Sequence, residues 1–187
     1  MKKIQVFIKD RKKQVLEGST LLDISRGVKS KKEYPIIGAK VNGIVVDLFE
    51  SVQENDNIQF ITYKDPEGRN IYRATLSFIL ARACMDYHRN SRLVIGHSLS
   101  NGYYYDFYSD LPNSAEVLEK IALIMHEIIE SNEVFELIEL PKNKAKELFK
   151  KKGFSDKARL LKYVDKENIK IYKLGMVMYE ANRRMCG

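Results

Sequence analysis

Residues 3–26, KIQVFIKDRKKQVLEGSTLLDISR, contain the pattern that decides the fold of the first part of the chain. Ile4, Val6 and Ile8 recur at every second position of this stretch, which is the period-2 pattern of a half-buried strand. Arg11–Lys13 predict a polar turn, and Gln14–Leu16 predict a short second strand. Ser19 or Thr20 can cap the helix that follows. The segment therefore predicts a strand, a turn, a strand and a helix.

The next segment predicts three further strands. Ile36–Val41 and Ile44–Asp47 flank Asn42-Gly43, a strong signal for a tight hairpin turn. Ile58–Thr62 forms the last strand, after a polar turn. The element order ββαβββ within residues 1–64 predicts a ubiquitin-like β-grasp domain.

A second domain is predicted over residues 65–187. Asp65-Pro66-Glu67-Gly68 is a cluster of turn residues that separates two differently patterned segments. Helical spacing of apolar residues follows up to Tyr87, then a hairpin around Asn101-Gly102 and a long amphipathic helix. The capping pattern of that helix is Asn113-Ser114-Ala115-Glu116. This part is predicted to be α+β with an antiparallel sheet, so the fold class of the whole chain is α+β.

Composition indicates a globular cytoplasmic protein. The 187 residues are 44% hydrophobic and 30% charged, and no apolar run approaches the ~20 residues of a bilayer span. Two distant cysteines give no disulfide framework. The formal net charge is +7, and basic residues cluster in one late stretch, which favours a polyanionic partner such as RNA. That stretch contains Lys142, Lys144, Lys146, Lys150, Lys151, Lys152, Lys157, Arg159 and Lys162.

Two stretches carry a resemblance to threonyl-tRNA synthetase. Val41-Asn42-Gly43, Asp47-Leu48 and Ile58–Thr62 resemble the TGS domain, the β-grasp module at the start of that enzyme. Residues 93–107, LVIGHSLSNGYYYDF, resemble a hairpin in its second additional domain, which hydrolyses mischarged tRNA. The resemblance covers nearly the whole chain and implies the same order of domains.

A second family shares this two-domain head. Residues 97–102, HSLSNG, look more like TGS-containing bacterial uridine (nucleoside) kinases, which are ATP-binding transferases. The chain contains no GxxxxGK[ST] run, the phosphate-binding loop that a kinase needs. This resemblance implies a head region that works with a kinase domain in cis or in trans.

The residues that would make such a head an editing enzyme are replaced. The resembling domain carries HxxxH on its first helix and CxxxH near its end, and the first pair falls here on Ala74 and Phe78. One register puts the second pair on Glu180 and Arg184, while another leaves only Gly187 after Cys186. No register yields HxxxH or CxxxH, so no catalytic residue is predicted.

A ligand surface is expected near the hairpin, without a metal or cofactor. Cys84 and His88 have the i, i+4 spacing of a metal pair, but two ligands do not make a site. Around the hairpin, hydroxyl, amide, imidazole and phenol groups can contact a base or a ribose. The predicted ligand-binding residues are Arg73, His97, Ser98, Ser100, Asn101, Tyr103 and Tyr105.

Three functions remain open at this point, and the third is that of a purely structural domain that binds a partner. The leading hypothesis is a non-catalytic binding or regulatory head of a nucleoside kinase-like protein, whose partner is tRNA, another RNA or a nucleotide. The alternative is a stand-alone deacylase that clears mischarged tRNA through a rebuilt site around His97, Glu180 or Cys186.

Overall fold

The computed structural model describes residues 2–28, 34–99, 102–110 and 114–180. They fall into two compact units that divide between Leu76 and Ser77, inside one long helix. The predicted domain boundary lies earlier, at residue 65, and stays a prediction. Both units combine helices with sheets, which confirms the α+β class.

The first unit is a five-stranded mixed sheet with one short helix. The strand order is β2-β1-β5-β3-β4, with β1 parallel to β5 and the other neighbours antiparallel. This is the β-grasp arrangement that the sequence predicts. The elements are β1 (Lys3–Ile8), β2 (Arg11–Leu16), α1 (Leu21–Arg26), β3 (Ile36–Val41), β4 (Ile44–Val46) and β5 (Asn57–Thr62).

The first turn lies two residues earlier than predicted. Lys9 and Asp10 both adopt positive φ angles, 49° and 61°, so they form the two-residue turn and Arg11–Lys13 belong to β2. Such turns match the twist of the flanking strands. The helix cap is as expected, because Thr20 accepts a hydrogen bond from the Asp23 backbone N–H and Asp23 bonds back to Thr20. This reciprocal pair fixes the start of α1.

The core of the first unit lies between the sheet and α1. The inward residues of the strands are apolar, and each strand contributes at alternate positions. Leu21 and Ile24, on one face of α1, are buried against them. The remaining members of this core are Ile4, Val6, Ala39, Leu48, Val52 and Ile58.

Helix α2 spans Pro66–Tyr87 and begins earlier than its apolar spacing suggests. The turn cluster forms its first turn, and the backbone N–H of Arg69 bonds to the Asp65 carbonyl oxygen. Asp65 also accepts hydrogen bonds from the backbone N–H and the hydroxyl of Thr62. Gly68 lies so close to β5 that an added Cβ would stand 1.9 Å from the Thr62 carbonyl oxygen. The glycine therefore permits this close approach.

The second unit contains a two-stranded hairpin and a three-stranded antiparallel sheet. The hairpin pairs β6 with β7, and the sheet has the order β10-β9-β8. Its elements are β6 (Arg92–Leu99), β7 (Gly102–Tyr108), α3 (Ala115–Glu130), β8 (Glu136–Pro141), α4 (Lys142–Lys151), α5 (Ser155–Leu160), a 3₁₀ turn (Leu161–Tyr163), β9 (Asn168–Leu174) and β10 (Val177–Glu180).

Opposite faces of the three-stranded sheet pack against different helices. Phe149 of α4 and Ala158 of α5 are buried with Ile171 and Met178 of the sheet. The neighbouring residues Tyr172 and Tyr179 point to the other face, since side chains alternate along a strand. Helix α5 begins without a side-chain cap, because Phe154 holds the cap position and makes no side-chain hydrogen bond there.

No helix in the described ranges has the length and apolar character needed to cross a membrane.

Replacing Gly68 by alanine tests the close approach between α2 and β5. The methyl group would overlap the Thr62 carbonyl oxygen, and backbone on both sides leaves little room to relax. We expect Gly68→Ala to lower the free energy of unfolding by about 2–3 kcal/mol, measured by urea denaturation. Asn70→Ala, at an exposed position of the same helix, is the control and should change stability by less than about 0.5 kcal/mol. Equal stability of both variants would contradict this packing.

Candidate functional site

A cluster of four aromatic rings lies on the α2 side of the three-stranded sheet. The Phe78 ring centroid lies 5.1 Å from that of Phe135 and 5.0 Å from that of Tyr179. Phe135 also contacts Tyr172, which is fully buried, at 6.4 Å. All three pairs are edge-to-face, the arrangement that the ring quadrupole favours. We call Phe78, Phe135, Tyr172 and Tyr179 the ring cluster.

The ring cluster surrounds one of the two positions to which the resemblance assigns histidines. Phe78 is 3% exposed and Ala74, one turn earlier in α2, is 4% exposed. An aromatic hydrocarbon and a methyl group can neither exchange a proton nor bind a metal. The first half of an editing site of the HxxxH type is therefore replaced by packed apolar groups.

Two hydroxyl groups meet beside the ring cluster. Ser77 Oγ of α2 and the Tyr105 hydroxyl of β7 share a hydrogen bond of 2.6 Å. Tyr103 packs edge-to-face on Tyr105, with ring centroids 6.3 Å apart. Burial, with smaller contributions from Cys84 and Tyr105, raises the pKa of Tyr179, so its hydroxyl stays protonated at neutral pH. The hairpin and α2 thus bring together uncharged groups that donate and accept hydrogen bonds.

Lys157 places its amine over one of these rings. Its Nζ lies 3.2 Å from the Tyr179 ring centroid and 4.4 Å from that of Phe154, and it donates a 2.5 Å hydrogen bond to the Met178 carbonyl oxygen. β10 is the outer strand of its sheet, and Lys157 satisfies a carbonyl on that edge. Burial lowers the pKa of Lys157 to about 7. An amine with this pKa can gain or lose a proton at neutral pH.

The contacts of Lys157, Ser77 and Tyr179 are not predicted from the sequence. Lys157 was grouped with the solvated basic stretch, whereas its amine turns toward the protein. The contact between Ser77 and Tyr105 joins residues 28 apart, and no local pattern indicates it.

Helix α4 has one buried and one basic face. Ala145 and Phe149 are fully buried, while lysines occupy the opposite side. Lys142, at the start of the helix, donates a hydrogen bond to the Val164 carbonyl oxygen and is only partly exposed. The exposed lysines of α4 and its cap, which we call the α4 basic face, are Lys144, Lys146, Lys150, Lys151 and Lys152.

The predicted ligand residues are only partly brought together. Tyr103 and Tyr105 are half-buried on β7 and contact each other. His97 and Ser98 lie in β6, where the pairing with β7 shifts register after Ile95, and their side chains are outside the described part of the structure. Ser100 and Asn101 are outside the described residues, as are Arg184 and Cys186. Arg73 is half-buried in α2, one turn before Ser77.

The Cys84 and His88 pair lies at the C-terminal end of α2. Burial raises the pKa of the Cys84 thiol to about 11, so the thiolate that a metal requires is disfavoured at neutral pH. Within the described residues, no three histidine, cysteine, aspartate or glutamate side chains form a group able to hold a metal ion. His88 Nδ1 is buried, and no described residue forms a hydrogen bond with it.

The fold and the site define a β-grasp unit followed by an α+β unit with the ring cluster at its centre. No model of a protein family matches the chain. It is 34% identical to a threonine–tRNA ligase of Clostridium tetani over 92% of its own length, and 32% identical to that of Caldanaerobacter subterraneus subsp. tengcongensis over 94%. The chain spans only 27% and 28% of the length of these relatives and corresponds to their N-terminal region.

The partly buried amine of Lys157 predicts a specific dependence of stability on pH. In the unfolded chain the amine holds its proton up to about pH 10.5, whereas in the folded protein it loses it near pH 7. Between these values the unfolded state binds more protons, so the free energy of unfolding rises with pH. From about pH 7 to pH 9, we expect the wild type to gain roughly 1–2 kcal/mol relative to Lys157→Met.

Urea denaturation at a series of pH values measures this difference. Lys162→Met is a matched control, because Lys162 also lies over a tyrosine ring, that of Tyr163, but is exposed. The Lys162 variant should follow the wild type. If the free energy of unfolding changes with pH equally in the wild type and in Lys157→Met, folding does not lower the pKa of this amine.

Proposed function

We propose that this chain is a tRNA-binding module of the threonyl-tRNA synthetase type, which holds the acceptor end of tRNA without hydrolysing an ester on it. The observation that carries this proposal is Phe78, buried in the ring cluster at a position where the resembling editing domain has a histidine. The similarity to threonine–tRNA ligases over more than nine-tenths of the chain supports tRNA as the ligand.

The binding surface has two parts in the second unit. The α4 basic face attracts the phosphate backbone, and this attraction must weaken as salt rises. The half-buried Tyr103 and Tyr105 of β7 offer phenol groups for hydrogen bonds and ring surface for stacking to an unpaired terminal nucleotide. His97, Ser98, Ser100 and Asn101 belong to the same hairpin and remain proposed contacts of that nucleotide. Arg73 stays a predicted ligand-binding residue.

The kinase connection is not part of this proposal. The relatives from Clostridium tetani and Caldanaerobacter subterraneus are ligases. No described contact in the second unit indicates a kinase domain. Docking against a kinase domain remains an expectation from the HSLSNG run alone.

A charge-reversal experiment tests the binding. Lys146 and Lys150 lie one helical turn apart on the α4 basic face and are exposed. We expect the double variant Lys146→Glu, Lys150→Glu to weaken binding of a threonine tRNA transcript at least about tenfold in a filter-binding assay, with a shallower dependence on salt. Lys9→Glu with Lys12→Glu, in the first unit, changes the net charge equally and should retain most of the affinity.

Salt-independent binding of the wild type, or equal losses in both double variants, would contradict the assignment of the phosphate contacts to α4. Absence of saturable binding by the wild type would remove the proposal itself.

A second function, hydrolysis of mischarged tRNA, is favoured by Lys157. A lysine with a pKa of about 7 beside the Tyr179 ring can act as a general base at neutral pH. Together with the ligase relatives, it supports a deacylase with a rebuilt site. The test is hydrolysis of serine-charged threonine tRNA by the wild type and by Lys157→Met. Turnover that rises with pH through about 7 and disappears in the variant would establish this second function, and turnover at the no-protein level would exclude it.

A further inference from the structure

Strand β2 forms one edge of the sheet in the first unit. It pairs only with β1 among the strands described, and its residues are exposed except for the half-buried Val15. Ile8 and Arg11 close the two-residue turn, so Arg11, Lys13 and Val15 exchange hydrogen bonds with β1. The intervening residues, Lys12 and Gln14, direct their backbone N–H and C=O groups outward. The edge therefore presents main-chain groups that another strand can pair with.

A groove of about 270 Å³ runs between this edge and helix α1. Val15, Leu16 and Ile24 contribute apolar surface to it, and Leu16 is 42% exposed. Small-molecule sites are typically larger, about 300–1,000 Å³. The volume suits one or two side chains of a peptide better than a cofactor.

The groove carries positive charge. Lys3 and Lys13 line it, and a Cβ added at Gly27 would stand 3.3 Å from the Lys13 Nζ, so the ammonium lies near the C-terminal end of α1. Asp23 is the acidic residue in the lining, but its carboxylate is already engaged with the Thr20 hydroxyl at 2.7 Å and with the Thr20 backbone N–H. Within the described ranges no salt bridge of Lys13 is found, so its ammonium can pair with an outside carboxylate.

We propose that the edge of β2 and the adjoining groove bind an extended acidic segment of a partner protein. The segment adds a strand beside β2, places an apolar side chain against Val15 and Ile24, and pairs a carboxylate with Lys13. Main-chain hydrogen bonds supply affinity in this mode of recognition, and the side-chain pocket supplies selectivity. Lysines on an edge strand discourage pairing with apolar or basic strands, so they select an acidic one.

The observations favour a peptide over RNA at this place. RNA phosphates would use the lysines but neither the outward main-chain groups of Lys12 and Gln14 nor the apolar wall of the groove. Lys12 provides a matched comparison, because it pairs with Phe7 and its side chain points to the sheet face opposite the one to which Lys13 points.

The experiment uses the full chain and three fluorescein-labelled probes in fluorescence anisotropy. The first probe is a dodecapeptide of alternating valine and glutamate, the second has lysine in place of glutamate, and the third is oligouridine. We expect the acidic peptide to bind with a Kd below about 1 mM and the basic peptide not to bind.

Three variants distinguish strand addition from plain charge attraction. Gln14→Pro removes an outward N–H, a position where an edge strand tolerates proline, and should weaken peptide binding at least about tenfold. Lys13→Glu should weaken it to a similar extent, and Lys12→Glu by less than about threefold. Melting temperatures check that each variant is folded. If proline unfolds the strand, the comparison of Lys13→Glu with Lys12→Glu still tests the proposal.

Two results would overturn the proposal. If the wild type does not bind the acidic peptide with a Kd below about 1 mM, the edge does not accept a strand. The same conclusion follows if both Gln14→Pro and Lys13→Glu bind the peptide as tightly as the wild type. Oligouridine binding that is lost in Lys13→Glu and kept in Gln14→Pro, without peptide binding, would assign the groove to RNA instead.

Discussion

The edge-to-face packing of Phe78 between Phe135 and Tyr179 holds the second half of α2 against the three-stranded sheet. Burying a phenylalanine in such a core typically contributes about 3–5 kcal/mol, which is a large part of the stability of a unit this size. Ser77 is the preceding residue in the helix, so its contact with Tyr105 depends on the same packing. The position of the hairpin relative to α2 follows from this one buried ring.

That packing also determines the chemistry available nearby. Two imidazoles one turn apart could share a proton or a metal, whereas a buried phenyl ring packed against tyrosines can do neither. Lys157 differs from its neighbours because its amine reaches the edge of β10 and is partly buried there. The proposed binding and the proposed hydrolysis therefore depend on different residues of the second unit, and substitutions can separate them.

The first unit could be predicted closely from its sequence because local signals determine each of its elements. Strand alternation, the Thr20 cap and Asn42-Gly43 each act within a few residues. The turn at Lys9 and Asp10 was not predicted because lysine is not typical of a positive φ angle and no glycine follows the aspartate to mark a two-residue turn. The start of α2 was placed too late because Pro66 and Gly68 are turn residues that here occupy the first helical turn.

The candidate site was harder to predict because it depends on contacts between distant parts of the chain. Tyr103 and Tyr105 were identified from the hairpin pattern, but their partner Ser77 lies on another element. Lys157 looked like its solvated neighbours because charge patterning does not reveal which lysine of a basic stretch turns inward. Burial and pKa depend on the packed structure, so only the structure distinguishes these residues.

The most direct test of this account is a nuclear magnetic resonance titration of the chain labelled with 3-fluorotyrosine. The ligand is an RNA minihelix that carries the acceptor stem and unpaired 3′ end of threonine tRNA, and Tyr105→Phe assigns the resonance of Tyr105. The account predicts that this resonance shifts as the minihelix saturates the protein, while that of Tyr63 in the first unit stays unchanged. Saturable binding that leaves the Tyr105 resonance unmoved would contradict the central claim, because the acceptor end would then bind elsewhere.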